Sequence, residues 1–163
     1  METAQILFPQ SRLQMIGDLE ECDFGEFENK NYLELSDDPR YQAWIDSDGT
    51  LPFPGGESRE ECQKRQLRGF EKGIERCIKA DVSHAVFVIH EGTIRNIMEA
   101  YAIPHRPFYE WKVRNGEAYI LKLDPESWKE NKKELYLLEK EGKTYETAMD
   151  SKRFEAAGND CIS

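Results

Sequence analysis

The chain has 163 residues, of which 39% are hydrophobic and 33% are charged, and its formal net charge at pH 7 is -10. This length suits one domain with a substantial core and is too short for two domains of ordinary size. Because an acidic protein without a strong block of Lys and Arg repels polyanions, we expect neither a nucleic acid nor a membrane as a partner. No apolar run approaches the roughly 18 residues that a membrane-spanning helix needs.

The cysteines and the first residues of the chain indicate the cellular compartment. The first residues, METAQILFPQ, lack the basic, apolar and small-residue order of a signal peptide. The cysteines do not form CxxC pairs, and they are Cys22, Cys62, Cys77 and Cys161. We therefore expect a cytoplasmic protein with free thiols.

The first part of the chain predicts a short helix and a short strand. Apolar residues at helical spacing indicate a helix over Glu2 to Phe8, which Pro9 ends. Leu13 to Leu19 predicts a short strand that leads to a polar turn over Glu20 to Asp23. The chain thus begins with a helix, a strand and an acidic turn.

Residues 31–58 predict two short helices and a loop ahead of a long helix. Pro39 divides Asn31 to Ile45 into two helical pieces, and the dense Gly and Pro of Asp46 to Gly56 predict a loop. Ser58 begins the long helix with a capping box, since Glu61 stands three residues later.

The long helix contains two glycines on or near its apolar stripe. Gly69 and Gly73 each weaken an interior helix by about 1 kcal/mol relative to alanine. Either a neighbouring element packs closely against them or the helix is locally marginal. The sequence leaves both explanations open.

A strand, a polar turn and a helix follow one another around His90. Ala85 to Ile89 is an unbroken apolar run typical of a buried, central strand of a parallel sheet, and the helical spacing resumes after Gly92. This pattern places His90 at the carboxyl end of a strand and beside the first amides of a helix. Such a helix start binds anions, phosphate above all. The alternative is a histidine that only ends the strand.

The last part of the chain predicts a hairpin, one more strand and a tail. Residues alternate around Asn115 and Gly116, which is the strongest hairpin signal in the sequence. Leu135 to Leu138 predicts a further strand. Residues 140–163 are mostly charged or small, and we expect a polar, loosely held tail there.

The histidines give no metal site by their spacing. His90 and Glu91 resemble the start of an HExxH zinc motif, but Ile94 stands where the second histidine would be. His84 and His105 have no ligand-like spacing, and the cysteines do not complete a set. We predict no metal.

Several separated stretches together resemble the histidine phosphatase superfamily, also called the phosphoglycerate mutase-like family. Their order and spacing cover most of the chain. The matching stretches are Leu19 to Phe27 for L-x-E-x-x-(F/Y)-G-x-(W/F), Tyr41 and Trp44 for Y-x-x-W, Pro54 to Ser58 for P-G-G-E-S, Val88 to Gly92 for V-x-H-G-G, and Glu2 to Ala4 for the end of a helix. The Pro-Gly-Gly-Glu-Ser form with a nearby Asp-Phe-Gly most resembles the α-ribazole phosphatase branch.

The resemblance implies a fold and an activity. It implies an α/β domain over residues 1–139 in three layers, with a mostly parallel central sheet flanked by helices. It also implies phosphomonoester hydrolysis through a phosphohistidine intermediate, without metal or organic cofactor, on a small phosphorylated metabolite.

The resemblance assigns roles to individual residues. Glu21 would be the general acid that protonates the leaving-group oxygen, and His90 would hold the phosphoryl group together with the helix start at Glu91 and Gly92. The candidate substrate contacts are Glu57 and Ser58. The alternatives are a solvated turn residue at position 21 and a helix cap at position 58.

The chain also departs from the family pattern. The family's nucleophilic histidine lies in an Arg-His-Gly motif on its first, central strand, and no Arg-His-Gly occurs in this sequence. Glu91 and Asn29 stand where glycines are usual. We therefore expect an N-terminally truncated form that lacks the first strand, leaves neighbouring strand edges unpaired and has no phosphatase turnover. The alternative is a catalytically silent phosphoester-binding or interaction domain. The sequence predicts neither the specific substrate nor the oligomeric state.

Overall fold

The computed structural model describes residues 2–47, 49–142 and 160–162. Within these residues, helices and strands alternate along most of the chain. The helices are α1 (Glu2–Leu7), α2 (Tyr32–Leu35), α3 (Pro39–Asp46), α4 (Arg59–Lys79), α5 (Glu91–Tyr101) and α6 (Pro125–Lys129). The strands are β1 (Arg12–Gln14), β2 (Ala85–Phe87), β3 (Ala102–Ile103), β4 (Glu117–Leu123), β5 (Leu135–Gly142) and β6 (Asp160–Ile162).

The helix starts follow the capping signals of the sequence. Asn31 caps α2 in a capping box, and Asp38 caps α3, whose first residue is Pro39. Ser58 caps α4, and the Glu61 side chain returns a bond to the Ser58 amide at 2.9 Å. These side chains satisfy amides that have no partner within the helix, and the start predicted at Ser58 is confirmed.

The strands form two small sheets. In the first sheet β6 lies between β1 and β2, and both pairings are parallel, with Asp160 opposite Arg12 on one side and Ala85 on the other. In the second sheet β5 lies between β3 and β4, parallel to β3 and antiparallel to β4. The result is a mixed α/β fold with helices beside small sheets.

Strand β2 differs from the sequence prediction in its position. We expected a central strand that is buried on both faces, whereas β2 is half-buried and forms an edge of the first sheet. We also expected strands with unpaired edges, but the edges of β1 and β2 that face each other both pair with β6.

The expected tail falls mostly outside the described residues. Residues 140–142 continue β5, and residues 160–162 form β6. Residues 143–159 and 163 lie outside the described part of the chain. For them the loosely held tail stays a prediction.

The predicted hairpin around Asn115 and Gly116 is wrong. The chain does turn there, and the Glu117 amide donates to the Arg114 carbonyl at 2.9 Å. However, the strand that follows, β4, pairs with β5. Trp111 forms no strand; it is fully buried and its Nε1 donates to the Arg106 carbonyl. Burial of the indole ring therefore decides the path of the segment before the turn.

The main core lies between α4, α5 and the second sheet. Its buried members are Ile16, Leu19, Phe70, Ile74, Cys77, Ile97, Tyr101, Trp128 and Leu135. The two glycines of α4 lie close to neighbouring segments, because a Cβ on Gly69 would come within 2.6 Å of the Asp18 Cβ and one on Gly73 within 2.9 Å of the Phe87 ring. Close packing, rather than a marginal helix, explains both glycines. No helix in the described ranges is both long and apolar enough to cross a bilayer.

Candidate active site

The start of α5 has the geometry that the sequence predicts for a phosphate-binding helix. His90 is the N-cap residue, with extended backbone at φ -79° and ψ 157°, and its side chain makes no capping bond and is exposed. The first intrahelical bond runs from the Ile94 amide to the His90 carbonyl at 3.0 Å. The amides of residues 91–93 precede that bond and have no intrahelical acceptor. They and the helix dipole favour an anion at this position.

The carboxylate of Glu21 lies against the same helix start. A Cβ built on Gly92 would be 2.9 Å from Glu21 Oε1 and 3.5 Å from Oε2. The Cys22 amide donates to Glu21 Oε1 at 3.0 Å, which fixes the direction of the carboxylate. The structure thus brings Glu21 next to the turn that follows His90, although the two residues are far apart in sequence.

Arg65 of α4 holds the loop that carries Glu21. Its guanidinium donates to the backbone carbonyls of Asp18 at 3.0 Å, Glu20 at 3.2 Å and Glu21 at 3.1 Å. The same guanidinium contacts both Glu57 oxygens, each at 2.7 Å. One side chain therefore uses its planar set of donors to join the acidic turn to α4.

A second polar link joins the turn to both long helices. Gln66 is fully buried, and its Nε2 donates to the Glu20 carbonyl at 3.0 Å. Its Oε1 accepts from Asn96 Nδ2 of α5 at 2.7 Å. The buried amides thus connect α4, α5 and the turn that carries Glu21.

The two glycine-containing motifs of the sequence pack backbone to backbone. A Cβ on Gly25 would overlap the Pro54 carbonyl and lie 2.5 Å from the Gly56 amide nitrogen, and Gly25 also has a positive φ of 53°. A Cβ on Gly56 would in turn overlap the Asp23 carbonyl. The Glu26 amide donates to the Pro54 carbonyl at 2.8 Å. Only glycine fits at both positions, which explains the Asp-Phe-Gly and Pro-Gly-Gly sequences physically.

Glu57 and Ser58 make bonds within the protein. Glu57 accepts from Arg65 and from the Asp23 amide at 3.1 Å, and its own amide donates to the Asp23 carbonyl at 2.9 Å. The hydrogen bond from Arg65 lowers the pKa of Glu57. Ser58 is the α4 cap. Both residues therefore hold the loop to α4, and a contact with substrate stays a prediction for them.

Glu91 points away from the turn. Its carboxylate pairs with Arg95 one helical turn later and is half exposed. Arg95 also lies over the Phe108 ring at 5.5 Å from the centroid, and Arg59 lies over the same ring at 4.8 Å. Pairing with Arg95 reduces the repulsion that a carboxylate at position 91 would exert on a phosphate.

Arg65, Gln66 and Asn96 were not predicted from the sequence. Gln66 and Asn96 had a usable signal, because each is a polar residue within the apolar stripe of its helix. Arg65 had no such signal, since an arginine on a helix that is rich in charged residues usually faces solvent. Its acceptors are backbone carbonyls, which a sequence pattern does not identify.

The described residues include one cluster with metal-binding atom types. The Sγ atoms of Cys22 and Cys62 and a Glu57 carboxylate oxygen all lie within 4.8 Å of one another. Both Glu57 oxygens are bonded to the Arg65 guanidinium. The cluster therefore already contains a positive charge where a cation would bind.

The comparison with known proteins agrees with the motifs. The family model described as histidine phosphatase superfamily (branch 1) matches residues 1–135. No curated protein and no solved structure gives a significant match. The matched segment contains Glu21, the loop at residues 54–58 and the start of α5. The chain belongs to the histidine phosphatase superfamily, branch 1.

Proposed function

We propose that this chain binds a phosphomonoester at the start of α5, with Glu21 as the proton donor to the leaving-group oxygen and His90 as a phosphate ligand. Membership of the superfamily indicates phosphoester chemistry through a phosphohistidine. The observation that carries the proposal is the contact of the Glu21 carboxylate with Gly92 at the first turn of α5. A proton donor and an anion-binding helix start are adjacent there.

The chemistry of the two groups is complementary. The amides of residues 91–93 and the His90 imidazole offer donors to the non-bridging oxygens of a phosphoryl group. Glu21, in its protonated form, is placed to donate to the bridging oxygen as that oxygen leaves. The Arg65 and Cys22 contacts hold the carboxyl in this direction.

The substrate class that we propose is a small phosphorylated metabolite. The proposal rests on the Pro-Gly-Gly-Glu-Ser and Asp-Phe-Gly motifs, which resemble the α-ribazole phosphatase branch. The structure adds that these two motifs contact each other and flank the turn with Glu21.

For the chain as printed, we propose binding without significant turnover. Phosphoryl transfer through a phosphohistidine needs an unprotonated imidazole in line with phosphorus, and the Arg-His-Gly motif that supplies it in the family is not in the printed sequence. His90 would not act as both nucleophile and ligand. The second candidate function is a catalytically silent phosphoester-binding or interaction domain, which keeps the fold and in which Glu21 has no role as a proton donor.

The test compares phosphate binding and aryl phosphatase turnover in the printed chain and three variants. Orthovanadate and inorganic phosphate are the binding probes, measured by calorimetry, and an aryl phosphate is the substrate. The variants are His90→Ala, Glu21→Gln and His84→Ala, of which the last removes an exposed histidine just before β2, at the opposite end of the strand.

We expect His90→Ala to weaken binding and His84→Ala to leave it unchanged. Glu21→Gln should retain or strengthen binding of the anion, because it removes a negative charge beside it. Equal binding by His90→Ala and the parent chain would exclude His90 as a phosphate ligand, and no binding of either probe to the parent chain would exclude the phosphate site. Turnover above background that disappears in His90→Ala would show that another group serves as the nucleophile.

A further inference from the structure

Two thiols meet beside the turn that carries Glu21. Cys22 is half-buried and Cys62, in the first turn of α4, is buried, and neither forms a disulfide. Their Sγ atoms lie within 4.8 Å of each other. Among the described residues, two elements far apart in sequence thus present their sulfur atoms to each other.

The fold holds the two thiols together from both sides of Cys22. Before Cys22, the carbonyls of Glu20 and Glu21 accept from Arg65 of α4. After it, Asp23 exchanges two bonds with Glu57, which directly precedes the α4 cap. Because the backbone on each side is tied to the start of α4, Cys22 is kept against Cys62.

The surroundings favour a thiolate at this place. Arg65 Nη2 lies 4.0 Å from Cys62 Sγ. A hydrogen bond from the Cys22 thiol lowers the pKa of Cys62, and the charge of Arg65 lowers it further, whereas burial and Glu57 raise it. The same hydrogen bond raises the pKa of Cys22. Of the two thiols, Cys62 is therefore the one from which a proton is lost first. A nucleophilic thiolate beside a protonated thiol is the starting state for disulfide formation.

A metal ion fits the cluster less well than oxidation does. Two sulfur atoms and one carboxylate give three ligands, and a structural zinc site uses four. The carboxylate of Glu57 is already held by two bonds from the Arg65 guanidinium. A divalent cation would have to displace that guanidinium and lose the bonds that fix the turn.

We propose that Cys22 and Cys62 form a reversible disulfide when the protein meets a hydroperoxide. The Cys62 thiolate attacks one oxygen of hydrogen peroxide, the O–O bond breaks, and the departing hydroxide takes a proton to become water. Cys62 is then a sulfenic acid. The Cys22 sulfur attacks the Cys62 sulfur, the S–O bond breaks, and the Cys22 proton leaves with the hydroxide as a second water. Two thiols and one hydrogen peroxide thus give one disulfide and two waters.

A surface depression of about 440 Å³ lies beside the thiol pair. Its lining includes Arg65, whose Nη2 lies 4.0 Å from Cys62 Sγ, and Glu57, of which a carboxylate oxygen lies within 4.8 Å of both sulfur atoms. Hydrogen peroxide is small enough to enter it. The proposal does not depend on phosphate binding, because it concerns only the sulfur atoms and the elements that hold them.

The printed sequence allows the disulfide to be read by peptide mass. Trypsin without reduction places each cysteine in a different peptide, namely residues 13–30, 60–64, 77–79 and 154–163. The full chain is titrated with hydrogen peroxide, alkylated and digested. We expect a linked product of peptides 13–30 and 60–64 that disappears after treatment with dithiothreitol.

Three variants and one metal serve as controls. Cys77→Ser should retain the linked product, whereas Cys62→Ser and Cys22→Ser should each abolish it. If Cys62→Ser does not fold, Cys22→Ser, at the more exposed position, gives the same test. A dominant link through Cys77 or Cys161, a link between two chains, or oxidation of the thiols without a link would overturn the proposal. Protection of both thiols from alkylation by Zn²⁺ alone would also overturn it in favour of a metal site.

Discussion

Gly92 is the position at which α5 leaves room for the carboxylate of Glu21. A Cβ at residue 92 would stand 2.9 Å from Glu21 Oε1, closer than carbon and oxygen atoms approach without displacement. Glycine at the second residue of α5 therefore has a packing reason. The same absence of a side chain opens the first turn of the helix to an anion.

Replacing Gly92 by alanine should move Glu21 with little cost in stability. The atom that the new methyl group meets is the far end of a flexible side chain, so Glu21 can rotate away. The bond from the Cys22 amide to Glu21 Oε1 should then be lost, and the Cys22 amide resonance should shift in a ¹H–¹⁵N spectrum. Gly17→Ala is the control, because nothing lies within 4 Å of its Cβ. An unchanged Cys22 resonance in Gly92→Ala would contradict the contact.

Replacing Gly56 by alanine should lower the free energy of unfolding by about 2 kcal/mol, as overpacking of a close contact does. The new methyl group would overlap the Asp23 carbonyl and lie 2.7 Å from the Gly25 amide nitrogen. Both are backbone atoms, so relief requires the two loops to separate. Urea unfolding followed by circular dichroism measures the effect, with Gly17→Ala again as the control. Equal unfolding midpoints for both alanine variants would show that the loops are not in tight contact.

Replacing Arg65 by methionine should lower the free energy of unfolding by about 2 kcal/mol, the cost of leaving hydrogen-bonded charged and carbonyl groups without their partner. The variant keeps the apolar part of the side chain and removes the donors to Asp18, Glu20 and Glu21. Arg68→Met is the matched control on the same helix. Arg68 is 58% exposed and contacts Asp18 only at 3.6 Å, so we expect a change of less than about 0.5 kcal/mol there. Similar losses in both variants would remove the special role of Arg65.

We expect the free energy of unfolding to fall in acid, partly because Glu57 becomes protonated. The hydrogen bond from Arg65 lowers the pKa of Glu57 in the folded protein below its ordinary value of 4.5. Because the unfolded chain binds this proton more readily, the stabilisation is complete above about pH 4.5 and is lost as the pH falls through the lower, folded pKa. The hydrogen bond from Lys72 lowers the pKa of Asp18 and adds to the same trend.

Glu57→Gln tests this dependence by removing one titrating group. The unfolding free energy, measured in urea from pH 7 to pH 3, should have a shallower acid slope in Glu57→Gln than in the parent chain. Glu60→Gln, an exposed position on α4 that pairs with Lys64, should keep the parent slope. A parent-like slope in Glu57→Gln would mean that the pair with Arg65 contributes little to folding.

Local signals in the sequence predicted local structure well. The capping box at Ser58 predicted the start of α4, because the capping side chain and the amides that it satisfies are neighbours in the chain. The Asn115–Gly116 turn was also found, but the partner of β4 was not. That partner, β5, is selected by contacts between distant residues, which no turn signal contains.

In the candidate site too, residues in sequence motifs were predicted, whereas residues that act through contacts with distant parts of the chain were missed. Glu21 and His90 were predicted as site residues through their family motifs, and the structure brings the Glu21 carboxylate to the turn beside His90. Arg65 and Gln66 were missed because their function is to bond carbonyls of a turn more than 40 residues earlier. For Gly69 and Gly73 the sequence left two explanations, and only the distances to Asp18 and Phe87 decide between them.

Strand β6 determines when the first sheet can assemble. Arg12 and Ala85 have the same partner, Asp160, and β1 and β2 are joined only through β6 in the described structure. During synthesis from the N-terminus, α4 and α5 can form and pack before residues 160–162 exist, but the first sheet cannot. Pairings between such distant residues form slowly, since the intervening chain must first be ordered. Until then the edges of β1 and β2 are available to other strands, so this stage of folding is the one at which a chaperone or a second chain can intervene.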